Sequence, residues 1–144
     1  GKNQNIGRMK KLAGKLGMMD SVEFIGWIPP EKIKTYYRKA SVFVMPSLME
    51  GFGLVFLEAM SHNLPVIGGN VGGTNELIQD GVNGILVNPH DSCELTMAIE
   101  TVLTNKDFRY KIIEGGMETI RGLNTELMIN ETYSYYTQIL EKEL

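Results

Sequence analysis

Val42-Phe43-Val44-Met45-Pro46-Ser47-Leu48-Met49-Glu50-Gly51-Phe52-Gly53-Leu54-Val55-Phe56-Leu57-Glu58-Ala59-Met60 is the stretch from which the fold of this chain is read. Val42 to Met45 is apolar throughout, as a strand buried on both faces of a parallel sheet should be. The run Leu54 to Met60 fits a buried strand or a buried helix by periodicity alone. Leu54, Leu57, Glu58, Ala59 and Met60 are good helix formers, so helix is the favoured reading. Asn63 tolerates the left-handed conformation that ends a helix. The stretch therefore reads as strand, glycine turn, helix.

A glycine turn that opens a helix presents free backbone N–H groups and the positive end of the helix dipole. That combination attracts anions, phosphate above all. Backbone N–H groups of Gly53, Leu54 and Val55 would meet the phosphate. Glu50 and Glu58 flank the helix start, and carboxylates are good acceptors for vicinal hydroxyls of a sugar or ribose. Gly51 and Gly53 let a ligand approach the backbone closely. The residues alone fit a site for a phosphorylated, hydroxyl-rich ligand. They fit equally well a plain turn with two solvated glutamates, because a single Gly-x-Gly is a weak signal.

Outward from this stretch, strands and helices alternate. Ile6, Met9, Leu12, Ala13 and Leu16 have helical spacing, and Gly17 is placed to stop that helix. Val22-Glu23-Phe24-Ile25 reads as a short strand ending at Gly26. After the loop Trp27-Ile28-Pro29-Pro30, Pro30 suits the first turn of a helix. Ile33, Tyr36, Tyr37 and Ala40 share one face of it. Leu64 to Ile67 is a further strand, ended by Gly68 and Gly69. Asn75 to Gln79 fits a short helix, Asp80 to Gly84 a turn cluster and Ile85 to Val87 another strand. Asp91 caps a helix with the stripe Leu95, Ala98, Ile99, Val102 and Leu103, and Glu94 completes a capping-box pattern. A helix from Lys106-Asp107 carries Tyr110, Ile113 and Met117. A last, amphipathic one runs from about Thr125 to Lys142. This order predicts an α/β fold with a Rossmann-like parallel sheet flanked by helices. Ligands of such sheets bind outside the carboxyl ends of the strands, where the Gly26-Trp27, Pro46–Gly53 and Gly68–Gly73 loops should emerge.

The 144 residues suffice for one domain with a proper core, and 43% hydrophobic with 22% charged residues is an ordinary globular composition. A net charge of −3 without a Lys/Arg block does not suit nucleic acid. Cys93 is the only cysteine, so no internal disulfide forms, and it reads as a small helix residue. His62, His90 and Cys93 lack the spacing of a metal site, and both histidines read as surface or capping residues. There is no apolar run of membrane length and no signal-peptide pattern. Position 1 is not Met, and the chain is expected to be an excised fragment.

Ser47 to Met60 resembles the signature of glycosyltransferase family 4, the glycosyl transferases group 1. The resemblance extends to Val22-Glu23-Phe24-Ile25-Gly26, Tyr36-Tyr37-Arg38-Lys39-Ala40 and Pro65-Val66-Ile67. It continues through Val71-Gly72-Gly73-Thr74-Asn75-Glu76-Leu77-Ile78, Gly81 to Val87 and Pro89-His90-Asp91. The family comprises retaining, nucleotide-sugar-dependent enzymes of the GT-B fold. The resemblance implies that residues 1–144 are a single donor-binding domain, part of the C-terminal domain of that fold. It lacks its first βαβ unit, the family's basic pair and the N-terminal acceptor domain.

By the same resemblance, Glu50 approaches the hydroxyls of the transferred sugar and supports the transition state. Glu58 binds the nucleotide ribose. Gly51, Phe52, Gly53, Leu54 and Val55 offer amides to sugar and diphosphate. Gly26, Trp27 and Ile28 border the nucleobase, and Gly72 and Gly73 either line the donor pocket or form a tight loop. Glu76 reads as a helix-start residue, and the tyrosines as packing or surface residues. Asn63 stands where the family has a small residue. The implied donor is a UDP-, GDP- or ADP-sugar, with no metal and no other cofactor. The implied acceptor is a glycan, lipid or small molecule, held by the missing domain. The implied place is the cytoplasm, with the membrane face as a further option. The fragment alone is expected to bind nucleotide weakly and not to turn over. The alternatives are another GT-B enzyme, such as a sugar-nucleotide epimerase, and a non-catalytic α/β module that binds a nucleotide or a protein partner.

Overall fold

The computed structural model describes residues 4–123. These fall into two compact units, with the boundary between Tyr36 and Tyr37. The helix expected from Thr125 lies outside the described residues.

The first unit contains helix α1 (Gln4–Lys15) and a 3₁₀ turn, Met19–Ser21. Gly17 ends α1 as its sequence suggests, at φ +67°. Met18 N donates to Ala13 O at 2.9 Å and Gly17 N to Gly14 O at 3.2 Å, the paired bonds that satisfy a helix's last carbonyls. Of the predicted stripe only Ala13 is buried, while Met9, Leu12 and Leu16 are exposed. The strand expected at Val22–Ile25 is not present. Val22 has extended dihedrals, but among the described residues no segment pairs with it. Strand propensity becomes a strand only when a neighbour satisfies the backbone groups.

Helix α2 (Pro30–Lys39) starts at Pro30 and contains the unit boundary. Its apolar face is narrower than the sequence suggests. Tyr37 is buried and Ile33 half-buried, whereas Tyr36 and Ala40 are exposed.

The second unit is built on three parallel strands, β1 (Phe43–Met45), β2 (Val66–Gly69) and β3 (Ile85–Val87), in the order β1-β2-β3. Phe43 pairs with Val66, Ile67 with Ile85 and Gly69 with Val87. The architecture is the predicted α/β, Rossmann-like one. Central β2 is buried along its whole length, but β1 is only half-buried, not covered on both faces. Gly68 and Gly69 are the last two residues of β2, which ends at Gly69 and begins at Val66, not Leu64. A Cβ on Gly68 would come within 2.7 Å of Thr74 Cγ2, so the strand needs glycine there to let its neighbours in.

The connections are α3 (Leu54–Met60) and α4 (Thr74–Leu77), and the chain continues through α5 (Ser92–Thr104) and α6 (Lys106–Gly122). At 7 residues α3 would not persist alone, and burial of Phe56, Ala59 and Met60 holds it. Asn63, at φ +57°, ends this segment. Its N–H reaches Met60 O at 2.9 Å and the next N–H, of Leu64, reaches Ala59 O at 3.2 Å. Asp91 caps α5 by accepting from Cys93 N and Glu94 N. Glu94 does not close a capping box. Its Oε2 accepts from Asn88 N at 2.9 Å and so ties the helix back to the end of β3.

Ile67, Val87, Ala98, Val102 and Ile112 form the core, with Val44, Leu95, Ile99 and Phe108 packed on it. The expected α5 stripe faces this core except for Leu103, which is exposed. In α6 the buried positions are Ile112 and Gly116, one step from the stripe through Tyr110, Ile113 and Met117. Tyr110 is exposed and the other two are half-buried. The reason is steric. A Cβ on Gly115 would run into Val82 O, and one on Gly116 would lie 3.1 Å from Met60 Cγ. The helix turns its smallest residues inward to approach α3 and the 80–84 turn. Asn83 fixes that approach, donating to Leu77 O at 3.0 Å and Thr119 Oγ1 at 2.9 Å while its Oδ1 accepts from Gln79 N.

Gly115→Ala should therefore lower the unfolding free energy by about 1–3 kcal/mol through overpacking, despite alanine's better helix propensity. Gly7→Ala in α1 has open space around its new Cβ and should instead raise stability by up to about 1 kcal/mol. Urea unfolding of the two variants beside the wild type separates these signs.

Candidate functional site

The loops after β1 and β2 leave the carboxyl ends of neighbouring strands, and they touch through backbone. Gly73 N donates to Glu50 O at 3.2 Å. Gly72 has φ +47°, and a Cβ on it would stand 2.7 Å from Glu50 O. A Cβ on Gly73 would overlap Gly51 O. The structure thus brings Gly72 and Gly73 onto Glu50 and Gly51, and only glycine permits that approach. Glu76 lies in α4 and is exposed, and its N–H donates to Gly73 O.

Gly53 sits at the N-cap of α3 in the left-handed region, φ +78°. A Cβ there would be strained and would meet Phe56 Cδ2 at 2.8 Å. The N–H groups of Leu54 and Val55 find no acceptor among the described residues, whereas Phe56 N already bonds to Gly53 O at 2.9 Å. Phe52 and Leu54 are exposed and Val55 is half-buried. Glu50 is half-buried, and its carboxylate has no hydrogen-bond partner among the described residues.

Glu58 is exposed, one turn into α3, and its Oε2 accepts from Tyr37 Oη at 3.0 Å. Tyr37 is 7% exposed. Its phenol is pushed up from 10.0 to about 12, first by burial, then by its hydrogen bond to Glu58 and by that carboxylate's charge. The hydroxyl therefore remains a donor at any ordinary pH. By sequence alone Tyr37 reads as a packing or surface residue. The only signal available was its place beside Tyr36 on an amphipathic helix, which does not reveal a partner 21 positions away.

A cavity of about 380 Å³ opens at the same edge, lined by Leu48, Asn70, Val71, Asn88, Pro89 and His90. These residues directly follow the three strands, the position where α/β sheets hold ligands. Asn88 Oδ1 accepts from His90 N at 3.0 Å, closing a local turn ahead of α5. His62 follows the C-cap of α3, with Nδ1 2.9 Å from Glu58 O. Gly26, Trp27 and Ile28 belong to the first unit. There Gly26 has φ +74°, Trp27 is 81% exposed and Ile28 is half-buried. Among the described residues no group of His, Cys, Asp and Glu side chains is placed to hold a metal ion.

A family model described as glycosyl transferases group 1 matches residues 1–119. The chain is 36% identical over 110 residues to the D-inositol 3-phosphate glycosyltransferase of Acidothermus cellulolyticus, covering 76% of this chain and 24% of that protein. It superposes on sucrose-phosphate synthase from Thermosynechococcus elongatus with a TM-score of 0.79 and 33% identity, over 94% of this chain and 34% of that one. Anabaena HepE, solved in complex with UDP-glucose, gives a TM-score of 0.81 and 25% identity over 94% of this chain and 37% of that one. The chain spans only part of the length of curated relatives such as these, from 22% to 34%.

Gly73→Ala should displace the Glu50–Phe52 turn and cost about 1–3 kcal/mol of stability, the range for an added methyl with no room. Urea unfolding measures the loss, and amide chemical shifts of Gly51 and Phe52 report the displacement. For Tyr37 the folded state holds the phenolic proton more tightly than the unfolded one. Its contribution is complete below pH 10 and is lost as pH rises toward 12. Between those values the wild type should lose on the order of 2 kcal/mol more stability than Tyr37→Phe, as followed by guanidinium unfolding.

Proposed function

The chain belongs to the glycosyl transferases group 1 family and carries part of the C-terminal domain of its GT-B fold, and from that premise we propose how it holds a donor. The donor is a nucleoside diphosphate sugar, with a UDP-, GDP- or ADP-sugar as the class. HepE, solved with UDP-glucose, supports this by its similarity. The carrying observation is the pair of amides, Leu54 N and Val55 N, which have no acceptor among the described residues and stand at a helix start flanked by Glu50 and Glu58 and backed by Gly72 and Gly73.

Each part then has a task. The amides of Gly51 to Val55 meet the diphosphate and the sugar. Glu58 accepts from the ribose hydroxyls, and Glu50 from hydroxyls of the transferred sugar. Gly26, Trp27 and Ile28 border the base. Transfer breaks the bond between the anomeric carbon and the leaving phosphate oxygen. The acceptor hydroxyl attacks from the same face, with retention, and its proton passes to the departing phosphate. Negative charge grows on the diphosphate as that bond breaks, and N–H dipoles already aimed at it stabilise the transition state more than the ground state.

The acceptor, a hydroxyl on a glycan, a lipid or a small molecule, is bound by the longer protein of which this chain is the donor-side part. That protein works in the cytoplasm, at the membrane face if its acceptor is a lipid. This chain by itself binds nucleotide weakly and does not turn over.

Calorimetric titration with UDP, GDP and ADP tests the reading. One of the three should bind, and Glu58→Ala should weaken it by roughly tenfold, the loss of a charge-assisted hydrogen bond. In the longer enzyme, Glu50→Ala should lower kcat by about 100-fold or more while nucleotide affinity changes little. Failure of all three nucleotides to bind would overturn the assignment.

A further inference from the structure

We propose that Tyr37 is a positioning residue for Glu58, and that the pair sets discrimination between ribose and deoxyribose in the bound nucleotide. The inference rests on the reading of Glu58 as the ribose acceptor. It is carried by the placement of a buried ring whose hydroxyl meets an exposed carboxylate.

The ring of Tyr37 is held from two sides. Its edge meets Phe43 with centroids 5.9 Å apart at 64°, and it lies 5.5 Å from the His62 ring at 33°. Phe43 in turn packs edge-on against Phe56, 5.5 Å away. Phe43 belongs to β1, and Phe56 and His62 to α3 and its end. The tyrosine is therefore clamped by the same two elements whose connecting loop carries Glu50 to Gly53. Its hydroxyl cannot shift without moving the sheet or the helix.

That hydroxyl donates to Glu58 Oε2 at 3.0 Å. An exposed glutamate otherwise samples several rotamers and loses that freedom when it binds. Tyr37 removes part of the loss in advance. It takes one acceptor position and leaves Oε1, and the second lone pair of Oε2, for two neighbouring hydroxyls. The backbone of Glu58 is held too, because Ser61 Oγ donates to its carbonyl at 2.7 Å. Phenylalanine would fill the ring's space equally well, so packing alone does not call for the hydroxyl. Burial and the neighbouring carboxylate push the phenol up, so the hydroxyl stays a donor at neutral pH.

The test uses the full protein that carries this chain. The probes are the tightest-binding of UDP, GDP and ADP and its 2′,3′-dideoxy analogue, measured by calorimetry with wild type, Tyr37→Phe, Glu58→Ala and the double variant. Tyr37→Phe should weaken the ribonucleotide about fivefold and leave the dideoxy analogue unchanged. In the Glu58→Ala background it should change neither. Equal weakening of both probes, or no effect of Tyr37→Phe while Glu58→Ala abolishes discrimination, overturns the role of Tyr37 alone. Discrimination that survives Glu58→Ala, or a lack of binding by every probe, overturns the reading of Glu58 and this inference with it. Should Tyr37→Phe not fold, the wild type still decides. The carbon-13 resonance of Tyr37 Cζ should move on adding the ribonucleotide and stay in place with the dideoxy analogue, and equal shifts with both would overturn the proposal.

Discussion

Backbone meets backbone where Gly73 lies on Gly51, and the rest of the candidate site depends on that contact. The bond from Gly73 N to Glu50 O joins the loop after β1 to the loop after β2. No residue with a Cβ fits at Gly73, and Gly72 carries a positive φ beside it. Once the two loops are joined, Glu50 lies at the junction and Gly53 is set to open α3. The amides of Leu54 and Val55 then stand at the helix start without acceptors among the described residues. A site made of backbone amides needs this support, because an amide cannot be re-aimed by a rotamer change. Its direction is fixed only by what the chain packs against.

Close approach through glycine recurs deeper in the fold. Gly68 admits Thr74, Ile78 and Phe56 to the face of β2, and Gly84 admits Val66 and Ile78. Gly115 and Gly116 bring α6 against the 80–84 turn and α3. The consequence is mechanical. α3 is short and begins at the site, and its buried side, Phe56, Ala59 and Met60, is held between β2 and α6. Burial of such side chains is worth about 1.5–3 kcal/mol for each large one, far more than a short helix gains from its own hydrogen bonds. The core thus determines where the helix start, and hence the free amides, can be.

The aromatic line Tyr37, Phe43 and Phe56 runs from the end of α2 through β1 to α3, and its first member ends in a polar contact with Glu58. Packing and recognition meet in one side chain. The ring contributes apolar area to the interior, and the hydroxyl orients a carboxylate at the surface. A tyrosine suits this because its body is apolar and only its tip is polar.

The amino-acid sequence by itself determined the local features. Gly17, Asn63 and Asp91 end or begin helices where their own chemistry requires. The strands at 43–45 and 85–87 stand where apolar β-formers are bounded by turn residues. The motif from Ser47 to Met60, with its flanking stretches, was enough to identify the family, which the match over residues 1–119 shows. These signals act within a few residues, so one chain read in order displays them. The tertiary structure alone decided the rest. It left Val22–Ile25 without a strand partner among the described residues, took Gly68 and Gly69 into β2 as its last residues, and turned α6 so that Ile112 and Gly116 are its buried positions instead of Tyr110, Ile113 and Met117. It also set Tyr37 on Glu58 and seated Gly73 on Gly51. Each of these depends on atoms far apart in the chain meeting across a distance of a few ångströms. Periodicity and propensity describe one segment at a time, and a missing Cβ or a single hydroxyl gains its meaning only from what packs against it.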